Sequence, residues 1–477
     1  MLHKWLIEST RLRGSAKALV YRDTYLSWRG LQHRVDRRVQ EFKAMGISKG
    51  HWVGLMLGNV PDFAILALAL SKIGSTVVPL DPTTGARDLS LIMEYAPLRA
   101  LITRPRGDVE TQQATQVRAL TNKPAEALES RRRLQGTLLT CSIYKTPGKA
   151  PGEAAVVLFT NDSQGDPKGV LRTDENLEHS AQLIAKALDV TEEDRILTTV
   201  PLFHAFGFDL GISLALKFGA TLYLEDEVAP KRIVKLLRDQ EINFLPGTPG
   251  LYSGLAKLPT AKPLKIKGAR YFSAGSPLTE ATAETFKAKY GIRVMPMYHT
   301  TETSVVAVDR KGGTPDTVGK VIDGVEVRVG DGKSSTSDGP IWVKSKAIAQ
   351  KSIGRVVKGT SGVQVGAFDD KHWLRTGDIG KLDKAGRLFL SGREDQLVKV
   401  DGKRVALGEV EGCIESFPKV ERARVRVITD PLGGPMVVAS VVAFGKCGAE
   451  EIIDHCAKNL APYKVPRRIE FCETLPT

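Results

Sequence analysis

The stretch "LFTNDSQGDPKGVLRT", from Leu158 to Thr173, sets small and polar residues between an apolar run and a basic one and reads as a loop that joins a strand to a helix. Gly165 and Gly169 allow the backbone to come close to a ligand, its amides can converge on an anion, and Lys168 adds a full positive charge. That is phosphate-binding chemistry. The spacing is not the G-x-x-x-x-G-K-[ST] of P-loop enzymes, because a proline precedes the lysine and a glycine follows it. A solvated Gly/Asp turn has the same composition, so this segment alone leaves both readings open.

Five more segments follow in order: "PLFHAFGF" from Pro201, "YFSAGSPLT" from Tyr271, "MYHTTETS" from Met297, "WLRTGDIG" from Trp373 and "SGREDQLVKVDGKRVALGEVE" from Ser391. In this order and at these spacings the set resembles the adenylate-forming superfamily: acyl-CoA synthetases, beetle-type luciferases and the adenylation domains of non-ribosomal peptide synthesis. The resemblance covers nearly the whole chain. It implies that a carboxylate is activated with ATP and magnesium to an acyl-adenylate, and that the acyl group then passes to a thiol, that of coenzyme A or of a carrier protein.

The roles that the resemblance implies can be placed residue by residue. Thr160 to Gly169, including Ser163 and Gly165, would cradle the leaving pyrophosphate together with Lys168. Tyr298 would lie against adenine, Thr301 would bond a phosphate oxygen, and Glu302 would hold the magnesium ion, a hard cation that prefers oxygen ligands. Asp378 would accept both ribose hydroxyls, Arg393 would donate to the same sugar, and Ser276 belongs with the nucleotide contacts. Phe206, Ala274, Gly275 and His299 would line the acid pocket, with His204 at the wall between that pocket and the thiol tunnel. Asp395 matches the hinge about which a small C-terminal domain swings, and the loop carrying Lys399 and Gly402 would reach the site in the thioester-forming pose. Taken singly, each of these residues has an ordinary alternative: Tyr298 as core, Glu302 and Asp378 as surface carboxylates, Arg393 as an ion-pair partner, His204 as a structural histidine.

The departures from the family pattern matter as much. Asp162 stands where glycine is usual and Gln164 where serine or threonine is usual. Asp162 and Asp166 put negative charge near a triphosphate, which weakens ATP binding unless nearby Lys or Arg residues compensate. His299 replaces the glycine of Y-G-x-T-E and should fill space beside the acyl group. The family continues "LP-x-T-x-x-G-K" where this sequence ends at "ETLPT", so the expectation is either a fragment or loss of the first half-reaction. "LGEVE" leans toward carrier-protein loading and "PLFHAFGF" toward acyl-CoA synthesis. Three functions stay open: an acyl-CoA ligase, a carrier-loading enzyme, and a non-catalytic nucleotide- or acyl-binding descendant.

These residues need a scaffold, and the pattern supplies one. Strand-like runs ("VGLML" from Val53, "TVVPL" from Thr76, "VVLFT" from Val156, "TLYLE" from Thr221, "NFLPG" from Asn243) alternate with helical segments, which argues for an α/β fold of doubly wound, mostly parallel sheets. After about Thr314 short glycine-rich strands suggest a small antiparallel β-barrel, and the residues from Gln396 suggest a compact α+β unit with helices near Glu409 and Glu451. The expected domains are therefore 1–395, which binds AMP, and 396–477, small and mobile. The stretch from about Arg104 to Glu153 reads as a loose surface segment.

At 477 residues, with 42% hydrophobic and 26% charged residues, the chain has the composition of a soluble globular protein. "FAILALAL" from Phe63 is too short to span a bilayer and reads as a buried helix. No signal peptide is evident, so the expected compartment is the cytoplasm. The five cysteines are odd in number and lack a C-x-x-C pair, which points to free thiols rather than a disulfide framework or zinc site. The net charge of +14 suits anionic partners. No zinc-finger or RNP-type motif accompanies it, so nucleic acid is not an expected partner.

Overall fold

The computed structural model describes residues 1–104, 128–145, 152–161, 166–259, 262–312, 314, 316–330, 337–356, 360–394, 397–400, 403–430, 434–445, 447–460 and 462–475. Two large mixed sheets form most of it, one of thirteen strands and one of nine. In the nine-stranded sheet Trp52–Met56 lies between Thr76–Leu80 and Leu98–Thr103, parallel to both, with Val53 opposite Val77. In the larger sheet Arg195–Thr198, Thr221–Leu224, Phe244–Gly247, Arg270–Ser273 and Val294–Thr300 run parallel. These strands are almost wholly buried because helices or the other sheet cover both faces, which is why they read as continuous apolar runs.

The helix Pro61–Ile73 shows the local logic. Pro61 occupies its first turn, where a missing N–H costs nothing, and Gly74 ends it at φ 83°, donating its N–H to Leu70 and Ser71 carbonyls. Phe63 through Leu70 are all buried. The helix is apolar all round, and each such aliphatic side chain withdrawn from water stabilises the fold by roughly 1.5–3 kcal/mol.

Three sequence expectations change. "LFTNDSQGDPKGVLRT" does not run from strand to helix: Val156–Asn161 and Pro167–Arg172 pair antiparallel, with Thr160 opposite Lys168, and the helix Asp174–Leu188 follows the second strand. Thr173 caps that helix by accepting from Asn176 N at 3.1 Å while the Asn176 side chain accepts from Thr173 N at 3.0 Å. Within the expected loose segment, Leu128–Arg133 and Thr140–Tyr144 form a hairpin on the edge of the nine-stranded sheet. Among the described residues the strands after Thr314 close no barrel. Thr317–Val321, Glu326–Val329, Gly339–Lys344, Leu374–Leu382 and Arg387–Arg393 extend the thirteen-stranded sheet, and Lys351–Val356 with Thr360–Val365 extends the other. Each sheet still had an open edge there, and pairing with it satisfies the backbone as fully as closure would.

The residues from Leu397 make a core of their own. Helices Leu407–Glu415 and Ala449–Asn459 pack Val410, Ile414, Ile452 and Cys456 on a three-stranded sheet of Val420–Asp430, Gly434–Ala443 and Arg468–Phe471. The five cysteines form no disulfide. Among the described residues no helix is long and apolar enough to cross a membrane.

Candidate active site

The phosphate hairpin brings Lys168 to the turn after Val294–Thr300, where its Nζ lies 2.7 Å from Glu302 Oε1. Burial pushes the Glu302 carboxyl up, but the charge and hydrogen bond of Lys168, helped by Arg393, more than offset it and hold the group below the usual glutamate range. Thr301 shares this turn, and its carbonyl accepts from Arg172 Nη1 at 3.3 Å. Tyr298, at the end of the strand, is buried, and its hydroxyl donates to Asp378 Oδ2. Burial first, and then the charge of Asp378, hold that phenol well above its ordinary pKa. Asp378 sits directly opposite Arg393 across two antiparallel strands, with Nη1 3.4 Å from Oδ1. Contacts thus run unbroken from Lys168 to Glu302, along the turn to Tyr298, and on to Asp378 and Arg393.

The residues expected to line an acid pocket are placed by other elements. The loop "PLFH" is held down by Asn59, which donates to the Thr198 and Val200 carbonyls at 3.1 and 3.3 Å and accepts from Leu202 N at 2.8 Å. Gly207 is required there because a Cβ would meet the Pro201 carbonyl oxygen at 2.3 Å. His204 is exposed at the start of the next helical turn, and desolvation by the protein around it lowers its pKa, with Asp81 opposing. Phe206 is buried and its ring lies 5.3 Å from that of His299. Phe208–Ser213 continues as a π-helical stretch, a geometry that recurs at functional sites. Ala274 is buried, whereas Gly275, at φ 96°, and Ser276 are exposed on the loop after Arg270–Ser273.

Some expectations shift. Gly169 lies within the strand, where a Cβ would meet Ile353, Phe159 and Val157 side-chain atoms at 2.8, 2.9 and 2.9 Å, so packing by itself calls for a glycine there. Asp166 is compensated, because its buried carboxylate pairs with the exposed Arg87 at 2.5 Å. His299 does more than fill space, since its Nε2 lies 3.0 Å from the buried Asp209. Lys399 pairs with Arg404 in the hairpin of Leu397–Val400 and Lys403–Ala406. Asp162, Ser163, Gln164, Gly165, Asp395 and Gly402 lie outside the described residues.

Four residues with a part in this region were not singled out from sequence: Asn59, Arg87, Arg172 and Asp209. Asp209 carried the clearest signal, a lone acid inside the apolar run "FGFDLGISLAL". Its carboxyl is 1% exposed. Burial acts to raise its pKa, and the charge of Arg172 with hydrogen bonds from His299 and Ser304 outweighs that, bringing it to about 2.

Among the described residues no group of three or more His, Cys, Asp or Glu side chains is placed to hold a metal ion. A lone carboxylate such as Glu302, beside a lysine, suits a hard cation that arrives with a polyanion and takes most of its ligands from it.

Comparison with known proteins places the chain. Residues 7–351 match the AMP-binding enzyme family and residues 409–477 the AMP-binding enzyme C-terminal domain. The chain belongs to the AMP-binding enzymes, the adenylate-forming superfamily. Among relatives, it is 26% identical to the long-chain-fatty-acid–CoA ligase FadD13 of Mycobacterium tuberculosis, over 95% of this chain and 90% of that one. It is 25% identical to the 2-succinylbenzoate–CoA ligase of Bacillus pumilus, over 99% of this chain and 94% of that one. Two solved structures share the fold. The anthranilate CoA ligase AuaEII in complex with anthranoyl-AMP superposes with a TM-score of 0.82 at 20% identity, covering 100% of this chain and 94% of that one. The O-succinylbenzoate coenzyme A synthetase of Bacillus subtilis, in complex with ATP and magnesium ion, gives 0.80 at 24% identity, covering 99% and 96%.

Proposed function

We propose that this chain is an AMP-forming acid–thiol ligase that activates a small carboxylic acid with ATP and transfers the acyl group to coenzyme A. The observation that carries the proposal is the unbroken line of contacts from Lys168 through Glu302 and Tyr298 to Asp378 and Arg393, which joins a cation suited to phosphates to a carboxylate suited to ribose hydroxyls.

In this reading Lys168 and Glu302 neutralise each other until nucleotide arrives. Lys168 then turns to phosphate oxygens and Glu302 to magnesium, which supplies charge neutralisation on the phosphates. Asp378 exchanges the Tyr298 and Arg393 contacts for ribose hydroxyls, and Thr301 bonds a phosphate oxygen. Ser276, on its exposed loop, stands with the nucleotide contacts, and Thr160, opposite Lys168, with the phosphate contacts. Phe206, Ala274, Gly275 and His299 line the acid pocket, with His204 toward the thiol. The His299 ring, anchored on Asp209 and packed near Phe206, narrows this pocket, so a short or planar acid is favoured over a long straight chain. The CoA ligases among the relatives support coenzyme A as acceptor. With ATP and coenzyme A as co-substrates, the site of action we propose is the cytoplasm.

The test is mass spectrometry of reactions containing the protein, magnesium, ATP, coenzyme A and a panel of short, planar and long acids. Acyl-CoA with a short or planar acid is the expected product. Acylation of a phosphopantetheine carrier but not of coenzyme A would favour carrier loading, and nucleotide binding without any product would favour the non-catalytic reading.

A further inference from the structure

The turn that carries Thr301 and Glu302 is held from behind by one buried carboxylate. His299, at its start, places Nε2 3.0 Å from Asp209 Oδ2, and Ser304, at its end, donates its hydroxyl to the same oxygen at 2.8 Å. Arg172 Nη1 lies 3.4 Å from that oxygen and donates to the Thr301 carbonyl at 3.3 Å. Ser304 has φ 62°, a left-handed backbone that a serine keeps only where surrounding contacts impose it. Ser180, on the helix after the phosphate hairpin, lies 2.7 Å from the Ser304 hydroxyl.

Stability alone does not call for these charges. Arg172 and Asp209 are 0% and 1% exposed, and a buried ion pair is commonly matched or bettered by well-packed apolar residues of similar volume. Nor is the cluster saturated, since Arg172 Nε and Nη2 and Asp209 Oδ1 find no partner among the described residues. What the charges do achieve is connection. Arg172 ends the strand that carries Lys168, and Asp209 lies three residues beyond Phe206. Asp209 holds the two ends of the turn at His299 and Ser304, and Arg172 holds the Thr301 carbonyl within it.

We infer that Asp209 and Arg172 are positioning residues that set the Thr301–Glu302 turn for nucleotide and cation and tie it to the acid pocket. This rests on the proposed acid activation, for which that turn is the cation and phosphate site. Passage of the acyl group from a finished adenylate to a thiol needs no cation at Glu302, so the clamp serves the first half-reaction and not the second.

The experiment compares the parent with the paired variant Arg172→Met/Asp209→Leu and with Ser304→Ala, each checked for folding. Three quantities are read: magnesium-dependent ATP binding by calorimetry, acid-dependent pyrophosphate release, and thioester formation from a chemically made acyl-adenylate and coenzyme A. Partners behind a cation ligand typically contribute about 10- to 100-fold, so the paired variant should need at least about tenfold more magnesium for half-maximal pyrophosphate release. Its thioester step, measured at saturating acyl-adenylate so that a loosened His299 affects only binding, should stay within about threefold of the parent, because that step needs no cation at the turn. Ser304→Ala should move the magnesium requirement in the same direction, less far. A folded paired variant with the parent's magnesium requirement overturns the inference, as does equal loss of both half-reactions. If the paired variant does not fold, an unchanged magnesium response in Ser304→Ala overturns it. If the parent activates no acid at all, the proposed function fails, while the calorimetric magnesium titration still decides the positioning role.

Discussion

Two carboxylates in this molecule have nearly the same partner and opposite surroundings. Asp209 and Asp378 each lie 3.4 Å from an arginine nitrogen. Asp209 and Arg172 are 1% and 0% exposed, whereas Asp378 and Arg393 are 14% and 44% exposed. The buried carboxylate has further fixed donors in His299 and Ser304, and the outer one has the Tyr298 hydroxyl. The same ion pair therefore does two jobs. Sealed from water it cannot exchange partners and fixes geometry; at the rim it is weak and ready to be replaced by a ligand.

The largest effect separates the two at the level of stability. Asp209→Ala leaves Arg172 buried without its partner and should destabilise the fold by about 3–5 kcal/mol in urea unfolding, while Asp378→Ala, which gives up the Tyr298 hydrogen bond and a half-exposed ion pair, should cost about 1–2 kcal/mol. Equal losses would erase the distinction.

Acid titration sharpens it further. The Asp209 pKa is depressed to about 2, so its contribution to stability is complete above the ordinary aspartate range near pH 4 and is lost as pH falls through about 2. A shift of that size corresponds to roughly 2–3 kcal/mol. The stability of the parent, followed by unfolding between pH 5 and the lowest pH at which it stays folded, should therefore fall relative to Arg172→Met/Asp209→Leu. Parallel curves would mean that Asp209 does not titrate as its surroundings dictate.

Legibility in the sequence follows the same division between what is local and what is assembled. Strands such as Trp52–Met56 and Thr76–Leu80 were readable because burial on both faces writes a short, nearly continuous apolar run, and the helix Pro61–Ile73 because its apolar stretch is framed by Pro61 and Gly74. The edge hairpin was not, since "LESRRR" shows almost no apolar alternation and is held by pairing with Thr140–Tyr144. Pro167–Arg172 hid as a strand because its proline, lysine and glycine read as a turn. Lys168, Tyr298, Glu302, Asp378 and Arg393 could be named from their motifs, and the structure joins them in one chain of contacts. Arg172 and Asp209 could not be matched to each other, because 37 residues separate them and only the packed fold makes them partners.

At the cation the expected effect is smaller. Glu302→Gln keeps the shape but removes the charge a hard cation prefers, and should raise the magnesium concentration for half-maximal activity by about tenfold or more. AMP affinity, measured without metal, should change little. Coincident magnesium titrations for variant and parent would remove Glu302 from the site.

An effect of comparable size falls on the outer carboxylate. Asp378→Ala removes charge-assisted hydrogen bonds to ribose of about 1.5–3 kcal/mol, a drop in ATP affinity of about tenfold or more by calorimetry. An unchanged dissociation constant would show that Asp378 serves the Tyr298–Arg393 contacts and not the nucleotide.

Exchange of labelled pyrophosphate into ATP tests acid activation most directly, because it reports the reversible formation of an acyl-adenylate without needing to know the acceptor thiol. The expected result is exchange that requires magnesium, depends on a short or planar carboxylic acid, and is lost in Glu302→Gln at limiting magnesium. Protein that binds magnesium–ATP yet shows no acid-dependent exchange across the panel would contradict the account.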